Sequence, residues 1–298
     1  MPDNRKTSEM KPATHPPVPA HNQRPVPTRQ WKPGMLLYGA GLVHVGAAAA
    51  VLADPSTLGW AAAGVGTTHA TLAAVGLWPR STWLGPNVLR LPRAAGRSVA
   101  LTFDDGPHPE MTPRVLDLLD VQGAHATFFC VGERAARYPG LVREIVRRGH
   151  TVENHSMHHR LDFSLFGPWR MQREIREAQQ LLADITGQAP RFFRAPAGLR
   201  NPLLEPLLCA EGLRLAAWTR RGFDTRNGDR AASVARLLTR NLGAGDVLLL
   251  HDGNSGVDAS GKPHCTTVLP GLLAAIANAG LQCVTLPAGM AAEAPRTA

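Results

Sequence analysis

The chain from Ser98 onward alternates short apolar runs with segments in which apolar residues recur at helical spacing. Seven of the runs predict strands, because a continuous apolar stretch of about four to eight residues is typical of a strand buried on both faces; they are SVALTF, ATFFCVG, HTVEN, RFFRAP, LRLAAWT, DVLLLHD and QCVTL. Helices are predicted between them, over 109–122, 138–149, 168–186, 202–211, 231–242 and 268–279. Strands that alternate with helices form parallel sheets with right-handed crossovers. We therefore predict an α/β fold, either an open doubly wound sheet or a closed barrel.

Two apolar runs precede this region, over 35–53 and 58–78, and neither contains a charged residue. Each is close to the ~20 residues that an α-helix needs to cross the hydrocarbon core of a bilayer. Small residues dominate both runs and permit close helix packing there. We interpret 35–78 as a transmembrane helical hairpin; the alternative is a buried helix pair of a soluble protein.

The flanking charges predict how such a hairpin is oriented. Lys and Arg are frequent before the first run and again within 79–97, and they are absent from the short loop between the runs. By the positive-inside rule both ends then face the cytoplasm. We expect a multi-pass protein of the inner (cytoplasmic) membrane with the α/β domain on the cytoplasmic side. If only one span inserted, that domain would lie outside.

Composition divides the rest of the chain. Residues 1–34 are rich in proline and lack apolar periodicity, which predicts a disordered cytoplasmic arm. The remaining segments are a basic linker (79–97), a catalytic domain (98–287) and a flexible tail (288–298). The net charge of +9 is partly concentrated in the arm, and aromatic residues are scarce, so the pattern of a nucleic-acid-binding surface is missing. Four widely separated cysteines form no C-x-x-C pair, and no feature predicts an oligomeric state.

Polar side chains suited to metal binding and proton transfer follow the predicted strands. The carboxyl ends of parallel strands share one edge of a sheet or barrel, so groups that follow different strands meet there. They are Asp104 and Asp105 after the first strand, His155, His158 and His159 after the third, Arg194 after the fourth, Asp224 after the fifth, and His251 after the sixth.

These residues predict a catalytic metal site. His155 and His159 are four residues apart, which places both imidazoles on one side of a helical or turn segment, and His158 competes for the second position. Two histidines and one carboxylate leave coordination positions for water and substrate. Zn²⁺ is the default ion, although Co²⁺, Ni²⁺ or Mn²⁺ suits the same ligands.

The second carboxylate of the Asp104–Asp105 pair is then available to accept a proton from water. His251 is a candidate to protonate the leaving group. Asp224 is suited to orient that imidazole, and Arg194 to keep the base carboxylate ionised.

Four ordered motifs carry a resemblance to a known family. TFDDGP, HSMHH, RAPAG and LLLHD are similar to the motifs of the polysaccharide deacetylase family (NodB homology domain, carbohydrate esterase type). The resemblance implies a distorted (β/α) barrel of about seven parallel strands that hydrolyses N- or O-acyl groups on sugars. It also implies the roles: Asp104 is the base, Asp105, His155 and His159 bind the metal, Arg194 supports the base, His251 is the acid, and the backbone N–H of Ala197 belongs to the oxyanion hole.

The sequence departs from the family pattern at two places. Many members have D-x-x-D-W where this chain has RRGFDTR, so Arg221 replaces the first Asp, Thr225 replaces the Trp, and only Asp224 is retained. Position 197, commonly aromatic, is Ala, which leaves more room beside the metal.

We expect a hydrolase that removes an N-acyl group, acetyl or formyl, from an amino sugar. The predicted anchor favours a lipid-linked or cell-envelope glycan. The alternative substrate is a non-sugar amide or cyclic imide at the same site. A membrane-tethered binding module without catalysis is a third hypothesis.

Overall fold

The computed structural model describes residues 28–291. Most of the predicted arm (1–34) and the end of the predicted tail (292–298) lie outside them. The helices are α1 (Met35–Ala53), α2 (Leu58–Gly76), α3 (Met111–Val121), α4 (Gly132–Arg137), α5 (Pro139–Arg147), α6 (Pro168–Thr186), α7 (Leu204–Ala210), α8 (Ala231–Thr239), α9 (His264–Asn278) and α10 (Leu286–Ala291). The strands are β1 (Ser98–Asp104), β2 (Thr127–Cys130), β3 (Thr151–Asn154), β4 (Phe192–Phe193), β5 (Arg214–Leu215), β6 (Arg220–Arg221), β7 (Val247–His251) and β8 (Gln282–Val284).

The strands form one curved parallel sheet. Their order is β5-β4-β3-β2-β1-β7-β6, and β8 also pairs with β1. Every described ladder is parallel. The prediction of alternating helices and parallel strands is confirmed, and the sheet is an open half-barrel. The two-residue strand β6 and the short helices α4 and α10 were not predicted.

Alternation along the central strands separates two cores. On β1, Leu101 and Phe103 belong to the core beneath the surrounding helices, whereas Ala100 belongs to the core inside the half-barrel. Because side chains alternate between faces, Thr102 and Asp104 share the inner face with Ala100. Asp104 therefore lies at the carboxyl end of a buried inner column.

The helices α1 and α2 pack against each other and project from the barrel. Nε2 of His44 lies 3.2 Å from Nε2 of His69 across the pair, and most of both helices is exposed. Within the described part of the chain, α1 is the one helix long and apolar enough to cross a membrane by length and composition. The Gly, Thr and His content of α2 makes that helix less apolar. The helix pair is present, and a transmembrane hairpin of two spans is not confirmed.

The predicted linker over 79–97 packs against the barrel. Leu84, Val88 and Leu91 are buried. Val88 forms a parallel bridge with Ala216, and the Leu91 N–H donates to the Gly245 carbonyl over 2.8 Å. This segment extends the sheet where β5 ends, so it is part of the folded domain. The sequence did not predict this packing, because the segment is charged and its three core residues lie on irregular backbone, which gives no helical or strand periodicity.

Candidate active site

Strand register brings the predicted residues to one rim of the half-barrel. Asp104 at the end of β1 is the direct partner of His251 at the end of β7. His155 follows β3 and Arg194 follows β4, on adjacent strands. Asp224 lies three residues beyond β6, which pairs with β7 on its other side. Groups far apart in sequence are therefore neighbours at the carboxyl ends of the strands.

Asp105, His155 and His159 form a cluster that fits a metal ion. One ligand atom from each lies within 4.8 Å of the others. The Nε2 atoms of His155 and His159 converge on Asp105 Oδ1 at 3.2 and 3.0 Å. His155 Nδ1 donates to the Arg194 carbonyl over 2.8 Å, which leaves its Nε2 free to coordinate. Burial, with the nearby charge of His155, lowers the pKa of His159 to about 4, so this imidazole is in the neutral form that ligates metals.

His158 lies outside this cluster. Its Nδ1 is 2.8 Å from Oε1 of Glu174, its backbone N–H donates to the other carboxylate oxygen, and the imidazole is half-exposed. Glu174 on α6 thus holds His158 in a structural contact. Of the two positions left open by the sequence, the structure brings His159 to Asp105.

The loops that carry the cluster have an unusual backbone. Asp105, Ser156, His159 and Ala197 all have positive φ, between 49° and 69°, in the left-handed region that non-glycine residues seldom adopt. Such conformations concentrate at functional sites, where surrounding contacts hold them. Here the Arg134 guanidinium donates to the carbonyls of Asp105 and Gly253, which fastens the loop after β1 to the loop after β7.

Arg194 is a fully buried counterion for Asp104. It donates to Asp104 Oδ1 at 2.5 Å and to Thr102 Oγ1 at 2.9 Å. Its other nitrogens donate to the carbonyls of Ala216 and Ala217. The Cζ atom of the guanidinium lies 4.0 Å from the centre of the Phe129 ring. One carboxylate oxygen of Asp104 is therefore fixed. The other, Oδ2, lies 3.8 Å from His155 Nε2 and faces the cluster.

His251 and Asp224 form a second buried pair. Asp224 Oδ1 accepts from His251 Nδ1 at 2.9 Å, and Oδ2 accepts from the His251 backbone N–H at 2.8 Å. Burial alone lowers the pKa of His251, but the hydrogen bond and charge of Asp224, with Asp104 and Asp105, raise it overall. The contact at Nδ1 leaves Nε2 as the nitrogen that can give up a proton.

This pairing gives the Asp224→Asn variant a defined pH signature. Without the carboxylate the His251 pKa falls, so the protonated acid is lost at a lower pH. The alkaline limb of the kcat/KM profile should move to lower pH, with about 10²-fold less activity at neutral pH. Asp229→Asn, an exposed acid in the same loop, is the control and should keep the parental profile. An alkaline limb that stays in place in Asp224→Asn would contradict the assignment of His251 as the acid.

The rim encloses a cavity of about 180 Å³, lined by the cluster, by Asp104 and His251, and by residues that the sequence analysis did not single out. Trp218, Leu249, Leu161 and Asn254 are among them. Trp218 lies in a predicted strand, where an aromatic residue is expected in the core. Nothing in the local sequence marks it as a cavity wall.

Ala197 lies on the wall of this cavity in the RAPAG loop, with φ 55°. The following Gly198 has φ 76°, and a Cβ there would lie 2.7 Å from both Pro79 and the Trp218 ring. Glycine at 198 thus permits close approach of the segment that follows α2. The Arg200 N–H also donates to the Gly76 carbonyl at the end of α2, over 3.1 Å. The end of the helix pair is therefore fixed directly beside the Ala197 loop.

Comparison with known proteins is consistent with this geometry. Residues 92–216 match the family model described as polysaccharide deacetylase. A chitooligosaccharide deacetylase of Bradyrhizobium sp. (strain ANU 289) is 36% identical over 201 residues, which cover 64% of this chain and 90% of that protein. A peptidoglycan-N-acetylglucosamine deacetylase of Bacillus cereus is 33% identical over 176 residues, 58% of this chain and 78% of that protein. The solved structure of a family 4 carbohydrate esterase from Streptomyces lividans in complex with acetate superposes with a TM-score of 0.56 and 32% identity, over 63% of this chain and 92% of that one.

Proposed function

Because this chain belongs to the polysaccharide deacetylase family, we propose that it is a metal-dependent hydrolase that removes an N-acyl group, acetyl or formyl, from an amino sugar. One observation carries the proposal: the Asp105–His155–His159 cluster lies between a buried Asp104–Arg194 pair and a buried His251–Asp224 pair, all around one cavity. Hydrolysis of an amide needs a base, an acid and charge stabilisation at one point.

Asp105, His155 and His159 would hold the metal ion. Their donor set of two imidazoles and one carboxylate fits Zn²⁺, with Co²⁺, Ni²⁺ or Mn²⁺ as the other candidates. When bound, such an ion polarises the acyl carbonyl and activates water as a nucleophile.

Asp104 acts as the general base. The buried Arg194 guanidinium donates a hydrogen bond to Oδ1 and fixes the carboxylate in place. Oδ2 faces the cavity and takes the proton from the attacking water. The fixed position of the carboxylate reduces the rearrangement that the proton transfer requires.

His251 acts as the general acid. Asp224 keeps Nδ1 hydrogen-bonded and favours the imidazolium, so that Nε2 delivers its proton to the departing amine. The backbone N–H of Ala197 belongs to the oxyanion hole in this proposal, because its loop forms the cavity wall beside the cluster.

We further propose that α1 and α2 anchor the enzyme in the cytoplasmic membrane with the barrel on the cytoplasmic side. The length and apolar character of α1, and the basic segments that flank the helix pair, support this placement. Since the end of α2 is bonded to the Arg200 backbone beside the Ala197 loop, the rim then lies near the membrane surface. A lipid-linked amino sugar suits such a site better than a finished wall polymer.

A reporter fused to the C-terminus of the full chain tests the orientation. We expect activity from a reporter that works only in the cytoplasm and none from one that works only outside the membrane. The reverse pattern would refute the cytoplasmic, lipid-linked version of the proposal.

An amide screen with the metal-loaded chain tests the reaction itself. We expect release of acetate or formate from N-acylated amino sugars and little from simple amides or cyclic imides. The sugar activities named for the relatives favour the first class, whereas the small Ala197 side chain favours the second. Metal binding without turnover of either class would support the binding-module hypothesis.

A further inference from the structure

Two consecutive arginines on β6 have different surroundings. The Arg220 guanidinium is fully engaged: it pairs with Asp246 at 2.5 Å and donates to the carbonyls of Arg240 and Asn241. Arg221, on the opposite face of the strand, lines the active-site cavity instead. Its guanidinium lies 5.4 Å from the centre of the Trp218 ring and 5.0 Å from that of Phe223.

In the part of the chain that the structure describes, the guanidinium of Arg221 has no anionic partner. Within residues 28–291 its contacts are these two aromatic rings, and its Nε is buried without a hydrogen-bond acceptor. Asp224, three residues further along the chain, uses both carboxylate oxygens on His251. A partly buried guanidinium with unfilled donors is costly unless an acceptor completes it. No carboxylate of the described chain does so, which points to an anion from the substrate.

A second cavity, of about 430 Å³, continues from this position. It shares Trp218 and Arg221 with the active site, and no carboxylate lines it. Arg80 also lines it, exposed, with a single described hydrogen bond to the Thr219 carbonyl at 3.3 Å. Two arginines therefore have donors available in one groove beside the metal cluster.

The far part of the groove is apolar and leads to the helix pair. Trp78, Phe223 and Leu237 line it and are 57%, 37% and 40% exposed. Trp78 is the second residue after α2, so this cavity, which shares residues with the active site, reaches the point where the helix pair ends. Together the two cavities place an apolar wall and two arginines beside the Asp105–His155–His159 cluster.

We propose that this groove binds the phosphate of a substrate in which an acylated amino sugar is linked through a phosphate ester to a hydrocarbon chain. Arg221 and Arg80 bind the phosphate, Arg221 through the forked donors that suit phosphate oxygens. The chain lies along Trp78, Phe223 and Leu237. The proposal rests on the proposed deacylase function and adds the class of substrate.

Paired substrates test the phosphate contact. With the metal-loaded full chain, kcat/KM is measured for N-acetylglucosamine 1-phosphate and for a neutral methyl glycoside of N-acetylglucosamine. We expect the phosphate to raise kcat/KM about tenfold or more, mainly through KM. The ratio of kcat/KM for the phosphate to kcat/KM for the neutral glycoside should fall toward one in Arg221→Gln. Arg80 is exposed, so Arg80→Gln should fold normally and should lower this ratio in part.

Arg226→Gln is the matched control, because Arg226 also lies over the Phe223 ring, at 5.1 Å, but lines neither cavity. It should keep the parental ratio. A parent without preference for the phosphate, or a ratio unchanged in both Arg221→Gln and Arg80→Gln, would overturn the phosphate site. In either case turnover of the neutral glycoside leaves the deacylase function standing, whereas no turnover of any acylated sugar refutes that function.

A third substrate distinguishes a lipid-linked phosphate from a soluble sugar phosphate. It is the same sugar phosphate esterified to a prenyl chain and presented in detergent micelles. A higher kcat/KM than for the soluble phosphate, lost in Leu237→Glu, supports the lipid chain in the groove. Equal values would overturn that part, and the substrate class becomes a soluble sugar phosphate.

Discussion

Asp104→Asn is expected to lower kcat by about 10²- to 10⁴-fold, the usual contribution of a general base, while the bound metal stays in place. Asparagine has nearly the same shape and can still accept the hydrogen bond from Arg194, but it cannot take a proton from water. The cluster of Asp105, His155 and His159 is untouched. The measurement is kcat from the rate of acetate release, together with metal content per chain.

The comparison needs a folding control, because the substitution removes the counterion of the buried Arg194 and so lowers stability. Rates are compared below the unfolding transition of the variant. Asp117→Asn, an exposed acid of α3 paired with Arg148, should retain parental kcat. A kcat within a few-fold of the parent in Asp104→Asn would remove Asp104 from the role of base.

His159→Ala and His158→Ala are expected to give opposite results in metal binding. His159 Nε2 converges on Asp105 Oδ1, so its loss should reduce bound metal well below one ion per chain and kcat by several orders of magnitude. His158 is held by Glu174 outside the cluster, so His158→Ala should keep both the metal and most of the activity. Metal content by mass spectrometry, measured after removal of excess ion, decides between them.

The opposite pattern, with metal lost in His158→Ala and retained in His159→Ala, would show that the loop rearranges on binding. Equal retention in both would argue against a metal site built on this loop. Chelation of the parent provides the reference, with activity lost and restored on addition of the ion.

Much of the fold was predictable because its signals are local. Buried parallel strands give continuous apolar runs, and α6 begins and ends where its periodicity does. The misses are elements stabilised by tertiary contacts. β6 consists of two arginines, which no strand pattern suggests, and it forms because it pairs with β7. Residues 84–91 have irregular backbone, and three apolar side chains hold them on the barrel.

The candidate site was predictable only in part. The strand-end rule placed Asp104, His155 and His251 on one rim, since it depends on topology alone. Spacing alone left His158 as a competitor of His159 for the metal, because side-chain direction in that loop depends on positive φ values at Ser156 and His159 that no local pattern specifies. The carbonyls of Ala216 and Ala217, which accept hydrogen bonds from Arg194, were equally hidden, because they come from a segment more than twenty residues away.

A catalytic domain cut at Ser98 would lose Leu84, Val88 and Leu91, whose burial contributes about 1.5–3 kcal/mol each. It would also lose Pro79, which packs against Gly198 beside the Ala197 loop. A domain that keeps these contacts therefore begins near Pro79, whatever segment precedes it. The chain between the helix pair and Ser98 is packed against the barrel, so replacing the N-terminal segment at Ser98 would also alter the folded domain.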